Sequence, residues 1–227
     1  MEDFDDTINT KSNNEIINNL ELFNQKYNTK LSLNTNRIDL SKKKIGNEGL
    51  KLLSEIPFNY CDINFLNLSE NNISDISPLL KMDLNKLIQL DISKNKIENI
   101  DIFENLNLKH LETLNIFNNK LKQFKSLTKT NLINLRNLIL GANNINNIND
   151  LEFMNCPYLE NIDLYDNAIK DISVFERINL PHLHEISFAN NYFDHELIKN
   201  YDIITNLRKR GCNVSIYGTI KQMINVI

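Results

Sequence analysis

The sequence contains no tryptophan, and only five glycines, four prolines and three cysteines in 227 residues. Five dispersed glycines leave no glycine-rich loop to cradle a phosphate, and neither HExxH nor GxSxG occurs. With no Pro/Gly/Ser-rich stretch there is no evident linker, so one domain is expected. Cys61, Cys156 and Cys212 are far apart and odd in number, which fits reduced thiols rather than a disulfide framework. Basic charge is also short. A net charge of -4 and a pI near 5.6 argue against a nucleic-acid binder, which needs a concentrated basic face. No apolar run reaches membrane-spanning length, and "MEDFDDTINTKSNN" lacks the basic and apolar segments of a secretory signal. The expectation is a soluble intracellular protein, cytoplasmic or nuclear, with neither a nucleic-acid nor a membrane partner. Without export, the Asn-X-Ser triplets at Asn67, Asn72 and Asn213 carry no glycosylation meaning.

What the chain has in abundance is asparagine, 41 residues of it, beside many Ile and Lys. That mixture is one an AT-rich genome produces. At 41% hydrophobic, a chain of this length can bury a substantial core.

The asparagines are not all scattered. "INFLNLSENNI" from Ile63 is followed by "LIQLDISKNKI" from Leu87, "LETLNIFNNKL" from Leu111, "LRNLILGANNI" from Leu135, "LENIDLYDNAI" from Leu159 and "LHEISFANNYF" from Leu183. Each begins 24 residues after the last. A strand's two-residue period explains the inner spacing. Leu66 and Leu68, or Ile162 and Leu164, turn inward, while Phe65, Asn67, Asn161 and Asp163 turn outward. One repeat can bury its apolar face only against the next, so the strands are expected to stack in parallel as coils of a solenoid. The Asn at the ninth place, at positions Asn71, Asn95, Asn119, Asn143, Asn167 and Asn191, offers donors and an acceptor to backbone groups buried where the chain turns inward. Downstream, Ile76, Ile100, Phe124, Ile148 and Ile172, then Leu79, Phe103, Leu127, Leu151 and Phe175, are expected to fill the convex side with short helical or 3-10 turns.

This pattern, LxxLxLxxNxL, resembles the leucine-rich repeat family over roughly residues 38–217. The resemblance implies an α/β solenoid: a curved horseshoe with a parallel β-sheet on its concave face and short helical or 3-10 segments outside. The short "NxIxxI" coils look like the subclass that includes the regulatory subunit of protein phosphatase 1, a ciliary dynein light chain, a spliceosomal subunit and acidic nuclear phosphoproteins. That subclass implies an adaptor or regulatory subunit acting through its concave face. The present repeats are longer than the roughly 22 residues common there, and the final "LRKRGCNVSIYG" resembles the ends of miscellaneous bacterial, protist or viral members.

The outer coils are longer. Ile38 to Leu66 and Ile186 to Val214 each span 28 residues, with "IGNEGLKLLSEI" and "HELIKNYDIITNLRKRG" as helices, and Lys43 and Thr219 stand in place of the ladder Asn. Ahead of them, Ser12 and Glu15 have capping-box spacing, and Ile16, Leu20, Phe23 and Tyr27 share a helical face. The reading is a disordered acidic segment over 1–11, a helical cap over 12–37, an array of about eight strands over 38–217 and a tail over 218–227.

The candidate chemistry lies on the outward positions. Glu70, Asp91, Glu112, Glu160, Asp163, Asp166 and Glu185 face Lys94 and Arg136, an acidic excess larger than that of the whole chain. Phe65, Ile88, Phe117, Ile139 and Tyr165 are interleaved with them, and Gly141 between Phe117 and Tyr165 is expected to leave a notch. Apolar residues in register, ringed by carboxylates, suit an interface centre with a polar rim. The partner-binding set is therefore Phe117, Ile139, Tyr165, Asp91, Glu112, Glu160, Asp163, Asp166 and Glu185, and the expected function is non-enzymatic binding of a protein or basic peptide by a chain that is monomeric by itself, without cofactor. Two alternatives are an architectural protein assembling through its convex side or ends, and a metal-dependent protein using His182, His184 and Glu160. Cys156 falls where other coils carry Leu84, Leu108, Leu132 and Leu180, and reads as a buried structural thiol.

Overall fold

A computed structural model of the chain describes residues 4–58, 63–193 and 198–216. The two-residue alternation and the fixed period produce eight strands of three residues: β1 (Arg37–Asp39), β2 (Phe65–Asn67), β3 (Gln89–Asp91), β4 (Thr113–Asn115), β5 (Asn137–Ile139), β6 (Asn161–Asp163), β7 (Glu185–Ser187) and β8 (Asn213–Ser215). They form one parallel sheet in sequence order. The register is set by burial: Ile38, Leu66, Leu90, Leu114, Leu138, Ile162, Ile186 and Val214 stand opposite one another down the stack, all within the core. A slip of one residue would turn every one of them toward solvent.

Coil length decides what crosses the convex side. A coil of 24 residues leaves room only for a 3-10 turn, and the five such turns are Ser77–Lys81, Asp101–Asn105, Lys125–Thr128, Asn149–Phe153 and Ser173–Glu176. Four of them open on an Asx turn, in which Asp75, Asn99, Asn147 or Asp171 accepts the N–H two residues on at 2.6–2.8 Å. The longer outer coils hold α-helices, α2 (Gly46–Ser54) and α3 (Ile198–Lys209). Ile76, Ile100, Phe124, Ile148 and Ile172, with Leu79, Phe103, Leu127, Leu151 and Phe175, are all buried in one continuous core.

The helix α1 (Phe4–Tyr27) precedes the array. It begins well before Ser12, so it takes in much of the 1–11 stretch expected to be disordered and leaves Ser12 and Glu15 in its interior rather than at its start. Its Leu20, Phe23 and Tyr27 are buried in the same core as the first coils. Gly49 makes this approach possible: a Cβ there would lie 2.8 Å from the Tyr27 hydroxyl oxygen. The expected C-terminal helix is present as α3, with residues 194–197 outside the described ones, and the 218–227 tail, Thr219 and Cys61 also lie outside them.

The concave face as candidate functional site

The ninth-position asparagines fasten adjacent coils. The oxygens of Asn71, Asn95, Asn119, Asn143, Asn167 and Asn191 accept the N–H of Ile45, Ile73, Ile97, Leu121, Ile145 and Ile169 one coil earlier, at 2.9–3.2 Å. Their amides donate to carbonyls of both coils, as Asn143 does to Ile116 and Leu140 at 3.0 Å each. These side chains are occupied by the backbone and face away from any partner.

A second column lies on the concave surface, at the last residue of each strand. Asp39, Asn67, Asp91, Asn115 and Asp163 each accept the N–H of the residue two places on, namely Ser41, Ser69, Ser93, Phe117 and Tyr165, at 2.9–3.0 Å. Asp91 and Asp163, expected only to bind a partner, therefore also close turns. Three strands break the column: β5 has Ile139, β7 has Ser187 and β8 has Ser215 at that place. Among the described residues, Gly141 and Ala189, two places on in β5 and β7, therefore lack the side-chain acceptor that Phe117 and Tyr165 have. Sequence reading missed this, because the signal is an Asn or Asp absent from a column whose role it had not recognised.

The acids divide into paired and open ones. Glu70 is held by Lys94 at 3.0 Å and Lys42 at 3.7 Å, and Lys94 beside it draws its carboxyl below the usual range. Arg136 pairs with Glu160. Asp91 also accepts from the Asn115 amide at 3.0 Å. Glu112 lies with Asn64, Lys86, Ile88, His110 and Asn134 around an open recess at the strand entrance, away from the aromatic strip. Asp163 and Glu185 have no Lys or Arg partner among the described residues, and they sit on neighbouring strands. Burial raises the Asp163 carboxyl, the Tyr165 N–H partly offsets this, and the charge of Glu185 raises it further.

Including β1 alters the charge map. Arg37 and Lys42 counter Asp39 there, so the acidic character concentrates on β6 and β7, whose own outward places carry Glu160, Asp163, Asp166 and Glu185 but no Lys or Arg, Arg136 reaching Glu160 from the neighbouring coil. Arg37 also lies 3.4 Å over the Phe65 ring and covers it, which removes Phe65 from the exposed aromatic set.

The notch expected at Gly141 is filled. A Cβ on Gly141 would meet the Phe117 ring and the Asp163 carboxylate at 3.0 Å each and the Tyr165 carbonyl at 3.1 Å, so the ring leans in over the glycine. Phe117 and Ile139 are half-buried, whereas Tyr165 is 38% exposed and its hydroxyl accepts from the Asn190 amide at 3.1 Å.

The metal alternative does not assemble: among the described residues, no three His, Cys, Asp or Glu side chains are placed to hold an ion. The His182 ring packs 5.8 Å from that of Tyr158, the His184 ring is turned to the His182 carbonyl at 3.1 Å, and Glu160 is engaged by Arg136. Cys156 and Cys212 are unpaired and buried, and burial pushes the Cys156 thiol up to about 11. No helix among the described residues is long and apolar enough to cross a membrane.

A family model described as "Leucine rich repeat" matches residues 133–193, and no curated protein matches. Among solved structures, an internalin (inlF) of Listeria monocytogenes is 24% identical with a TM-score of 0.54, covering 79% of this chain and 52% of its own. A leucine-rich repeat protein of Leptospira interrogans is 18% identical at TM-score 0.53, covering 73% of this chain and 45% of that one. The leucine-rich repeat ectodomain of the Arabidopsis thaliana membrane receptor kinase GASSHO1/SCHENGEN3, solved in complex with CASPARIAN STRIP INTEGRITY FACTOR 2, is 22% identical at TM-score 0.51, covering 76% of this chain and 20% of that one. The chain thus spans about half the length of the internalin and less of the other two. Fixed-period coils, an asparagine ladder bridging them, a family model matching residues 133–193 and the shared fold of these structures give the chain a leucine-rich repeat fold.

Proposed function

We propose that the protein is a non-enzymatic binding module, an adaptor or regulatory subunit, whose concave face holds a protein or peptide with a basic surface. The observation that carries this is the β5–β7 region, where the exposed Tyr165 ring stands beside Asp163 and Glu185, two carboxylates with no cation of their own among the described residues. An aromatic anchor supplies contact area at low entropic cost, and unpaired acids steer and select a cationic partner. Phe117 and Ile139 extend the apolar centre, Glu160 and Asp166 form the surrounding rim, and Asp91 and Glu112 lie farther along the sheet. The unpaired thiols Cys156 and Cys212 accord with a reducing, intracellular setting.

The test is affinity capture from extract of the cells that make the protein, read by mass spectrometry, with wild type beside Tyr165→Ala and Glu185→Lys. Glu185 is exposed and supports no turn, so its variant isolates charge from folding. A partner held by wild type and lost by both folded variants supports the concave strip as the working surface. A partner held equally by all three overturns it and moves the interface to the convex side or the ends.

A further inference from the structure

Five tight turns stand in a row where the chain enters strands β3 to β7. Their central pairs are Asn85–Lys86, Lys109–His110, Ile133–Asn134, Pro157–Tyr158 and Pro181–His182. Each turn is closed by a backbone hydrogen bond of 2.9–3.2 Å, such as that from the Leu135 N–H to the Leu132 carbonyl. Such places suit small polar residues, yet Ile133 is 41% exposed and Tyr158 is 45% exposed. On the other side of Ile133 lies the open recess of about 480 Å³ bounded by Asn64, Lys86, Ile88, His110, Glu112 and Asn134, in which Ile88 is 43% exposed. One edge thus carries a projecting ring, a recess and an isoleucine between them. We propose that this edge is the interface of a homodimer, in which Tyr158 of each copy enters the recess of the other. The inference goes beyond the binding reading: it replaces the monomer expected from the sequence with a pair that keeps both concave faces free.

Position selects the symmetry. Tyr158 stands one coil beyond Ile133, and the His110 and Glu112 side of the recess stands one coil before it. In a two-fold interface the same patch serves both copies, so residue i meets j and j meets i. An axis through the Ile133 turns sets each ring against the other copy's recess and brings the two Ile133 side chains together. There the ring covers Ile88 and its hydroxyl donates to the Glu112 carboxylate, a division of apolar body and polar tip that suits tyrosine at interfaces. The His182 ring, 5.8 Å from that of Tyr158, supports the projecting side chain. Charge selects a second copy as the occupant. Along this edge Lys86, Lys109 and Arg136 balance Asp83, Glu112 and Glu160, and Arg136 is engaged by Glu160 within its own chain. A balanced surface does not repel its own copy, whereas the acidic β6–β7 strip of the concave face does. Pitch points the same way, because turns that recur once per coil stay in register with a surface of equal repeat.

Sedimentation velocity of the full chain over a range of concentrations provides the test, with wild type beside Tyr158→Ala, Ile88→Arg and Phe153→Ala. All three substituted side chains are exposed, so the variants should fold, and thermal melts check that they do. Phe153, on the convex side, is the control. The expected result is a reversible dimer of twice 26.5 kDa for wild type and Phe153→Ala. Dimerisation should be at least about tenfold weaker in Tyr158→Ala and in Ile88→Arg. Tyr158→Ala keeps the recess and Ile88→Arg keeps the ring, so an equal mixture regains one ring-in-recess contact and should associate more tightly than either variant alone. A monomeric wild type overturns the inference. So does a dimer that Tyr158→Ala and Ile88→Arg leave intact, one that Phe153→Ala weakens equally, or a mixture no tighter than its separate components. The capture experiment with Tyr165→Ala and Glu185→Lys judges the concave face separately, since neither residue lies on this edge.

Discussion

Asn143 holds two coils at once: its side-chain oxygen accepts the Leu121 N–H at 2.9 Å from the preceding coil, while its amide donates to Leu140 in its own. Truncating it leaves several buried backbone groups unpaired. Asn143→Ala is expected to cost about 1–3 kcal/mol, seen as a lower denaturant midpoint. Because each coil is held by its neighbours, the loss should spread through the centre of the array. Hydrogen exchange at Leu121 should accelerate before exchange in α2 does.

The eighth place of each coil adopts a left-handed backbone, and only in this structure is that visible. Lys42, Glu70, Lys94, Asn118, Ala142, Asp166 and Asn190 all have φ between 52° and 60°. Alanine gains nothing there to offset the steric cost of its Cβ. Ala142→Gly should therefore raise stability, by up to about 1 kcal/mol, in chemical denaturation. An unchanged or lower midpoint would show that the strain is absent.

Asp163 and Glu185 lie on neighbouring strands, β6 and β7. The folded-state carboxyl of Asp163 is raised, chiefly by burial and in part by Glu185, so ionising it opposes folding: this contribution to stability is present below its unfolded value and is lost as pH rises through the folded one. Glu185→Gln should lower the Asp163 value, followed by carboxyl-carbon NMR, and slightly raise stability at neutral pH. Capture of a basic partner should weaken as the solution is acidified through the Asp163 titration.

Arg136 and Glu160 form an exposed pair, a kind of contact worth little to stability. Arg136→Ala should change stability by less than about 1 kcal/mol, yet it frees one more carboxylate beside the acidic strip. Association with a basic partner should become faster and more dependent on salt, measurable by stopped-flow at several ionic strengths.

Cys156 and Cys212 are both buried, and burial raises both thiols, with Arg210 partly opposing this for Cys212. In a Cys61→Ser background, neither remaining thiol should react with a thiol reagent at neutral pH, and both should react in guanidinium. Rapid labelling of the folded protein would show that the coil around Cys156 opens readily.

The fold was legible because one spacing recurs. Leu90, Leu114 and Leu138 declare their inward direction by repeating every 24 residues, and Asn95, Asn119 and Asn143 declare the ladder in the same way. The candidate surface was legible only as a list. That Asp163 and Glu185 face outward follows from strand alternation, but that Arg136 engages Glu160, that Lys42 and Lys94 converge on Glu70, and that Arg37 covers Phe65 depends on which long side chains meet across coils. The notch at Gly141 was misread for a related reason: a missing side chain leaves space that neighbouring Phe117 and Asp163 can enter. Similarly, α1 reaches back to Phe4 through a stretch whose polarity and acidity suggested disorder.

By itself, the sequence determined the repeat, the sheet register and the identity of the core, because each follows from local periodicity and from the need of every coil to bury an apolar face against the next. Tertiary structure decided which carboxylates remain open and which aromatic ring is exposed. Those properties belong to pairs of residues brought together across coils 22 to 28 residues apart, and no residue type at a single position encodes them.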